Sequence, residues 1–331
     1  MAGSWRLVCP SCGFRGESEA YHPWCPKCGG PLEVEGEPPS ARRLLGEGGT
    51  PLVEGDGFIA KLEYLNPTGS FKDRGASYSL QVARYLGYGC SVVDSSGNTA
   101  ISVAAYSGRL GMKARVYVPR TAGEGKKSVI RALGAELIEA EDREEAARLA
   151  REDSGKCFHV AHLTSPFFVE GMKSVGAELA DAARGRPIIV PVSSGSLLLG
   201  IHRGLREEGV KGYRIIAVQS PGAASLRGKV PLLAEVGGPE GRLLDALVVR
   251  NPPRLGEIVK AVNETGGGLV VTGDRAVAEA LRELLAKGFI VEPSSASVYA
   301  ALKALKLSGA IRRDEEPILV LTGSGLKYRL S

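Results

Sequence analysis

The sequence predicts an α/β fold with two parallel or mixed open sheets, and three observations favour it. Strand-like and helix-like segments alternate between residues 76 and 151 and again after residue 160. The apolar runs at residues 188–192 and 318–321 carry no charged side chain, as expected for strands buried on both faces of a parallel sheet. The 331 residues are 44% hydrophobic, which is enough material for two packed domains.

The front of the chain contains two C-x-x-C pairs at the spacing of a zinc ribbon. The pattern C-x2-C-x12-C-x2-C is formed by Cys9, Cys12, Cys25 and Cys28. Four thiolates complete a closed tetrahedral shell, so the predicted site holds structural Zn²⁺ and leaves no open position for catalysis. Two disulfides are the alternative, which a cytoplasmic chain disfavours. We therefore expect a small ribbon domain at residues 1–36.

A nearby histidine and the two remaining cysteines are expected to take no part in this site. His22 lies between the pairs and could replace a cysteine, but four cysteines already fill the shell. Cys90 and Cys157 stand singly in apolar surroundings. They are predicted to be core residues rather than reactive thiols.

A stretch rich in Pro, Glu and Gly at residues 33–43 is predicted to be a linker, and a strand at residues 58–65 follows it. Pro67 and Gly69 prevent that strand from continuing. Ser70 can cap a helix that begins nearby. Lys72 is therefore predicted to lie where a strand-to-helix loop meets a helix N-terminus.

Lys72 is the candidate catalytic residue. The positive end of the helix dipole disfavours an ammonium, so the pKa of Lys72 should fall below its usual value of about 10.4 if the site is dry. A lowered pKa makes the amine nucleophilic, as Schiff-base chemistry requires. The plainer interpretation is a solvated lysine beside a helix cap, because most lysines are exposed.

A second loop of interest is SSGNT at residues 95–99, between a strand at residues 90–93 and a helix that reaches residue 109. Small hydroxyls and free amides at the carboxyl end of a strand suit an anion. The alternation continues with strands at residues 114–118 and 136–138 and helices at residues 126–133 and 143–151.

A third loop is SSGSLLLG at residues 193–200, after the strand at residues 188–192. Its small residues would let a phosphate approach the backbone amides, although an ordinary strand-to-helix turn is the alternative.

Helices are also predicted at residues 169–184 and 274–287 and a strand at residues 214–219, whereas residues 221–250 have no clear pattern.

Four motifs occur in order along the chain: NPTGSFKDRG, SSGNT, EPSSA and LTGSGLK. On these motifs the chain resembles the fold-type II pyridoxal-phosphate enzymes, and within them it looks most like the threonine synthases. The resemblance runs from about residue 45 to residue 327. It implies a large cofactor-binding domain formed by residues 37–72 and 158–331, a smaller mobile substrate-binding domain at residues 73–157, and a homodimer.

The resemblance also implies a role for each loop. Lys72 would bind pyridoxal 5'-phosphate as a Schiff base and then carry protons, and Asn98 would hydrogen-bond the cofactor's 3-hydroxyl group. The substrate carboxylate would lie on Ser95, Ser96 and Thr99. Thr322 would meet the pyridine nitrogen. The cofactor phosphate would lie on the amides of the third loop, at Ser194, Gly195, Ser196, Leu197 and Leu198.

Three features depart from the threonine synthase pattern. Phe168 stands where the family has an arginine that binds the substrate phosphate. Without that arginine, the free energy of phosphate binding should be weaker by about 1.5 to 3 kcal/mol unless another cation substitutes. The candidate cations are Lys126, Lys127 and Lys173. The loop at residues 193–200 looks closer to the dehydratase and cysteine-synthase branches. Ser324 and Tyr328 replace a histidine and an aspartate.

The implied reaction converts O-phosphohomoserine and water to threonine and phosphate. The alternatives are a serine/threonine dehydratase or an O-phosphoserine-dependent cysteine or cysteate synthase on the same scaffold, and, from another class, a non-catalytic zinc-ribbon adaptor. A net charge of +5 without a polybasic block gives little reason to expect a nucleic-acid partner. No apolar run approaches the roughly 20 residues of a membrane helix. A phosphorylated amino-acid substrate and a cytoplasmic location are expected.

Overall fold

The computed structural model describes residues 4–327, which fall into two compact units. Among the described residues, the first unit comprises residues 4–47 and 72–171, and the second comprises residues 48–71 and 172–327. Tyr328 lies outside the described residues. The functional division predicted above, with boundaries at residues 36, 72 and 157, stays a prediction.

Within residues 4–327, strands and helices alternate as the sequence pattern predicts. The strands are β1 Trp5–Val8, β2 Arg15–Ser18, β3 Glu33–Gly36, β4 Leu52–Glu54, β5 Ile59–Lys61, β6 Cys90–Asp94, β7 Lys113–Pro119, β8 Glu136–Ala140, β9 Phe158–His159, β10 Pro187–Pro191, β11 Arg214–Gln219, β12 Leu232–Val236, β13 Gly268–Thr272 and β14 Ile318–Val320. The helices are α1 Lys72–Tyr85, α2 Asn98–Arg109, α3 Glu124–Ala132, α4 Arg143–Asp153, α5 Pro166–Leu179, α6 Ser196–Glu207, α7 Leu255–Glu264, α8 Asp274–Ala286 and α9 Pro293–Ser308.

The front of the first unit is a small antiparallel sheet in the order β2-β1-β3. Strand β3 pairs with β1 along its whole length, from Trp5 opposite Gly36 to Val8 opposite Glu33. The linker predicted at residues 33–43 is therefore wrong over its first four residues. Short strands with alternating polar residues look like a linker until their partner strand is known.

The rest of the first unit is a parallel sheet in the order β8-β7-β6-β9. Its buried core includes Val92, Tyr117 and Ala146. Helices α2 and α4 follow β6 and β8, as the connections between parallel strands require. The alternation predicted for residues 76–151 is thus confirmed.

Cys90 and Cys157 form a disulfide, a pairing that the sequence did not predict. Cys157 is buried in the core of this unit, as expected, and Cys90 packs against the core while half-buried. Strand β6 pairs with β9 with Ser91 opposite Phe158, which places the preceding residues side by side. Their Cα atoms are 4.9 Å apart, within the range that a disulfide spans. The pairing of β6 with β9 is not visible in the sequence, and the disulfide follows from it.

The second unit is built on a seven-stranded sheet in the order β12-β13-β11-β10-β14-β5-β4. All neighbours are parallel except β4, which runs antiparallel to β5 at the edge. Phe58, Ile189, Val270 and Leu319 are fully or almost fully buried in its core. This mixed open sheet confirms the fold class that the sequence predicts.

Strand β5 ends at Lys61 and a 3-10 turn occupies Glu63–Leu65, so the strand predicted at residues 58–65 is too long. Lys61 is 1% exposed, and its Nζ donates to the Thr50 carbonyl (2.7 Å) and to Glu178 (2.6 Å). Glu63 is buried and accepts a 2.6 Å hydrogen bond from the Thr50 hydroxyl. These buried polar contacts fix the chain just before the Lys72 loop.

Strand β12 lies within residues 221–250, which the sequence prediction left unassigned, and helix α7 and strand β13 beyond that range were not predicted either. Strand β12 is half-exposed along its length, so its residues lack the alternation that marks a strand. No helix in the described part of the chain is long and apolar enough to cross a membrane.

Candidate active site

Helix α1 begins at Lys72, where the turn chemistry of Pro67 and Gly69 predicts a helix start. Within the second unit, the residues just before it are tied to the strand β14 end, because the Phe71 amide donates to the Thr322 carbonyl (3.0 Å) and Ser70 bridges to Gly323. Lys72 is half-buried. The residues that precede Lys72 are therefore held at the carboxyl end of β14, and Lys72 itself begins the helix.

Within the first unit, the Lys72 side chain lies beside an aromatic pair. Its Nζ is 5.8 Å from the centroid of the Phe168 ring, and the His162 ring meets Phe168 edge-on at 6.0 Å. Phe168 is fully buried. An apolar ring thus occupies the surroundings of the amine at the position where the sequence lacks an arginine.

His162 is held neutral beside Lys72. Burial and the positive charge of Lys72 lower the pKa of His162 to about 4. His159 lowers it further, and Asp94 opposes these effects only in part. The His162 Nδ1 is buried and has no hydrogen-bond partner among the described residues. His159 in turn contacts Asp94 through Nε2 (3.2 Å). Nothing local in the sequence connects His162 with Lys72, so this neighbour cannot be predicted from the sequence.

The lowered pKa of His162 predicts a specific pH dependence of stability. In the unfolded chain His162 takes up a proton near pH 6.5, whereas in the folded protein it stays neutral down to about pH 4. The unfolded state binds more protons in this window, so stability falls as the pH falls. The free energy of unfolding should drop by about 2 kcal/mol from this residue between pH 7.5 and pH 5.

Denaturant unfolding at the two pH values checks this expectation. His162→Asn should lose about 2 kcal/mol of the pH dependence of the wild type, while His22→Asn in the ribbon serves as the control substitution. Equal pH dependence in the wild type and His162→Asn would contradict the assignment.

The SSGNT loop of the first unit brings Ser95, Ser96, Asn98 and Thr99 together at the start of helix α2. The Ser95 hydroxyl accepts from the Gly97 amide at 3.3 Å, and the space around Gly97 is open. Ser102, which the sequence analysis missed, donates to the buried Asp73 carboxylate (2.6 Å) and lies 3.0 Å from the Asn98 carbonyl. It connects the turn that follows Lys72 to this loop.

In the second unit, the loop after β10 forms the start of helix α6. Gly195 is the N-cap with φ +86°, and a Cβ there would lie 2.2 Å from Ile258 Cδ1. Both its conformation and its packing therefore require glycine. The first turn of α6 contains the amides of Ser196, Leu197 and Leu198, which have no acceptor within the helix itself. The Ser194 hydroxyl lies 3.4 Å from that of Ser196. This is a geometry that binds phosphate.

Thr322, also in the second unit, is buried next to a second hydroxyl. Its Oγ1 lies 3.0 Å from Ser295 Oγ, which also accepts from the Thr322 and Gly323 amides at 3.0 and 2.8 Å. Ser295 belongs to the EPSSA motif, but the sequence analysis gave it no role. The Ser70 and Ser294 hydroxyls are buried without a partner among the described residues. Orphaned hydroxyls of this kind fit a polar cofactor.

The candidate cations Lys127 and Lys173 both contact carboxylates. Lys127 contacts Glu124 (3.0 Å) and Glu139 (3.2 Å), and Lys173 contacts Glu207 (2.7 Å). Lys126 lies beside Lys127 on α3. For Lys127 and Lys173, the positive charge is therefore shared with carboxylates rather than reserved for a substrate phosphate.

The four cysteines of the ribbon converge as the spacing predicts. Their Sγ atoms all lie within 4.8 Å of one another. Burial raises the pKa of Cys9, but hydrogen bonds from the Cys12 and Ser11 amides outweigh this effect and lower the pKa to about 7. A hydrogen bond from the Gly30 amide lowers the pKa of Cys28, but the neighbouring thiols outweigh it and raise the pKa to about 12. Four thiolates so close together require a cation, and this donor set fits Zn²⁺.

Comparison with known proteins points to one family. The family model described as pyridoxal-phosphate dependent enzyme matches residues 43–323. Threonine synthase from Methanocaldococcus jannaschii is 32% identical over 311 residues, which cover 86% of this chain and 76% of that protein. Threonine synthase from a Bacillus species is 32% identical over 304 residues, covering 86% of this chain and 84% of that protein.

Solved structures share the fold. O-ureido-L-serine synthase has a TM-score of 0.72 at 21% identity, covering 88% of this chain and 95% of its own. The O-acetylserine dependent cystathionine beta-synthase from Helicobacter pylori has a TM-score of 0.72 at 22% identity, covering 86% and 95%. At these identities the similarity concerns the fold alone.

Proposed function

Because this chain belongs to the pyridoxal-phosphate-dependent enzymes, we propose that it is a lyase of the threonine synthase kind, converting O-phosphohomoserine and water to threonine and phosphate. The observation that carries this proposal is the similarity to threonine synthases over 86% of the chain. Family membership also sets aside the non-catalytic adaptor.

Pyridoxal phosphate, when bound, supplies an electron-withdrawing ring that stabilises negative charge on the substrate's α-carbon. In the proposed mechanism Lys72 holds the cofactor covalently, then takes the proton from the α-carbon and moves a proton at the β-carbon. Proton transfer by a positioned group contributes about 10²- to 10⁴-fold. Burial and the charge of Lys72 keep His162 neutral, so this residue adds no second positive charge beside the amine.

The remaining residues would bind and orient. We propose that the first turn of α6, from Ser194 to Leu198, holds the cofactor phosphate, that Asn98 meets its 3-hydroxyl group and that Thr322 meets its ring nitrogen. Ser95, Ser96 and Thr99 would hold the substrate carboxylate. What supports this is that each set lies at a helix N-terminus or strand end within its own unit. Ser295 would supply a second hydroxyl group beside that of Thr322.

Phe168 favours a second candidate function. A buried aromatic ring 5.8 Å from the Lys72 amine cannot grip a phosphate, and Lys127 and Lys173 are paired with carboxylates. A substrate without a γ-phosphate would meet no penalty there. A serine/threonine dehydratase or an O-phosphoserine-dependent cysteine or cysteate synthase is therefore the alternative on the same scaffold.

An assay of the purified protein with four amino acids tests the two candidates. O-phosphohomoserine, O-phosphoserine, threonine and serine are incubated separately, and phosphate, threonine and 2-oxo acids are measured. We expect phosphate release from O-phosphohomoserine alone, with an equal amount of threonine. Formation of 2-oxobutanoate from threonine would support the dehydratase instead.

Three further properties belong to this proposal. Cys9, Cys12, Cys25 and Cys28 would hold a structural Zn²⁺, supported by their convergence in the structure. A homodimer and a cytoplasmic location are proposed by resemblance to the family. The Cys90–Cys157 disulfide agrees with a cytoplasmic location chiefly in hyperthermophiles, whose intracellular proteins retain disulfides.

A further inference from the structure

The ribbon packs on the chain segment that leads to Phe168, and both belong to the first unit. The segment, residues 158–168, is here called the docking segment. The Tyr21 hydroxyl donates to the His159 carbonyl, and the Thr164 hydroxyl donates to the Pro23 carbonyl at 2.6 Å. Side chains and backbone of the ribbon are therefore bonded to two separate points of the segment.

Aromatic contacts reinforce these hydrogen bonds. Tyr21 stacks on Phe158 with ring centroids 4.0 Å apart and an interplanar angle of 17°. Trp5 meets Phe167 edge-on at 5.2 Å, and both side chains are at most 1% exposed. Buried aromatic pairs contribute about 0.5 to 1.5 kcal/mol each beyond the burial of their area. The contact is thus a packed interface rather than a loose tether.

Residues that touch the ribbon alternate along the docking segment with residues beside Lys72. His159, Thr164 and Phe167 contact the ribbon, whereas Phe168 lies 5.8 Å from the Lys72 amine. His162 packs on Phe168, and its pKa responds to the charge of Lys72. Because neighbouring residues of one short segment face the ribbon and the amine, a shift of the ribbon would move the surroundings of Lys72.

The ribbon contacts come from residues next to the metal-binding cysteines. Tyr21, Pro23 and Trp24 lie in the loop that joins the two C-x-x-C pairs, and Trp24 directly precedes Cys25. The sheet behind them has three strands of four residues each, too little to hold such a loop by itself. In small ribbons the metal supplies the folding free energy. The conformation of this loop should therefore depend on the metal.

We propose that the metal-loaded ribbon is a positioning element for the amino-acid site, fixing the docking segment so that Phe168 and His162 stand correctly beside Lys72. This inference rests on the proposed function, namely a metal at the four cysteines and a cofactor on Lys72. It assigns the ribbon a role in substrate binding, with Thr164 as a positioning residue at its centre.

The test compares wild-type holoenzyme, metal-free holoenzyme, Thr164→Val and the control Arg15→Ala. Thr164→Val removes the bond to Pro23 without changing the cysteines. Arg15→Ala breaks an exposed ribbon ion pair with Glu35 that does not involve the docking segment. The metal is removed by a chelator without thiol reductant, because a reductant would also open the Cys90–Cys157 disulfide.

Four quantities are measured: zinc content, the visible cofactor band, the affinity for L-threonine, L-serine and O-phospho-L-homoserine from changes in that band, and hydrogen exchange of the amides of residues 158–168. We expect metal removal and Thr164→Val to speed exchange in this segment. We expect both to weaken amino-acid binding at least about fivefold, the effect of one lost buried hydrogen bond. The cofactor band should stay unchanged, and Arg15→Ala should behave as the wild type.

The inference and the proposed function fail in different ways. A wild type without zinc or without a visible band would refute the proposed function, and the exchange rates would still show whether Thr164→Val loosens the docking segment. Unchanged exchange and amino-acid affinity in metal-free, folded protein would overturn the inference. If metal removal unfolds the whole ribbon, the test rests on Thr164→Val. Unchanged hydrogen exchange and unchanged amino-acid affinity in that variant would overturn the inference.

Discussion

Replacing Lys72 with alanine should remove the visible absorption of the purified protein near about 410 nm and lower kcat/KM by roughly 10⁴-fold. The amine is proposed both to hold the cofactor covalently and to move protons at the substrate's α- and β-carbons. No other lysine is expected to take over, since Lys72 has its place at the start of α1 beside Phe168 and His162. Absorption spectra and steady-state kinetics measure both effects.

A covalent label distinguishes this role from general damage to the site. Borohydride reduction of the wild type followed by peptide mass analysis should place the cofactor on the peptide that contains Lys72. Lys113→Ala, an exposed lysine at the start of β7 in the same unit, should keep the band and the activity. A label on another lysine, or a coloured and active Lys72→Ala protein, would refute the assignment.

Gly195→Ala should destabilise the proposed phosphate-binding turn and weaken cofactor binding at least about tenfold. An alanine at φ +86° costs about 1 to 2 kcal/mol, because its Cβ approaches the carbonyl oxygen. The contact of 2.2 Å with Ile258 Cδ1 adds roughly 1 to 3 kcal/mol of overpacking. Cofactor titration and thermal unfolding measure the two effects separately.

Two variants separate the backbone cost from the steric clash. Gly209 lies just beyond the other end of α6, with φ +68° and open space around it. Gly209→Ala should therefore lower stability through the backbone conformation and leave cofactor affinity unchanged. Ile258→Val removes the nearest clashing atom, so the double variant with Gly195→Ala should recover part of the loss. If Gly195→Ala and Gly209→Ala prove equally harmless to cofactor binding, the turn after β10 does not hold the phosphate.

Local chemistry explains why much of the fold could be predicted. The strand-turn-helix sequence around Lys72 follows from Pro67, Gly69 and the helix-forming residues after them, all close in the chain. The buried strands β10 and β14 are marked by uninterrupted apolar runs. The weakly patterned β12 and the short β3 escaped prediction, because each owes its structure to a partner strand rather than to its own sequence.

The same reasoning explains which parts of the site were missed. Lys72 and the SSGNT loop lie in motifs that can be read along the chain. His162 and Ser102 lie in none of these motifs, and Ser295 lies in EPSSA without a local sign of its role. Each acquires its meaning from a residue far away in sequence: Lys72, Asp73 and Thr322 respectively. A polar side chain in a helix or loop carries no local sign of what it will face after folding.

By itself the sequence determined the class of the fold, the start of helix α1 at Lys72 and the four-cysteine cluster, because turn residues, apolar runs and C-x-x-C spacing act over a few residues. Only the tertiary structure decided that Cys90 meets Cys157, that Phe168 and His162 stand beside Lys72, and that the ribbon packs on residues 158–168. These contacts depend on strand register and helix packing, which join distant parts of the chain and are settled by the free energy of the whole fold.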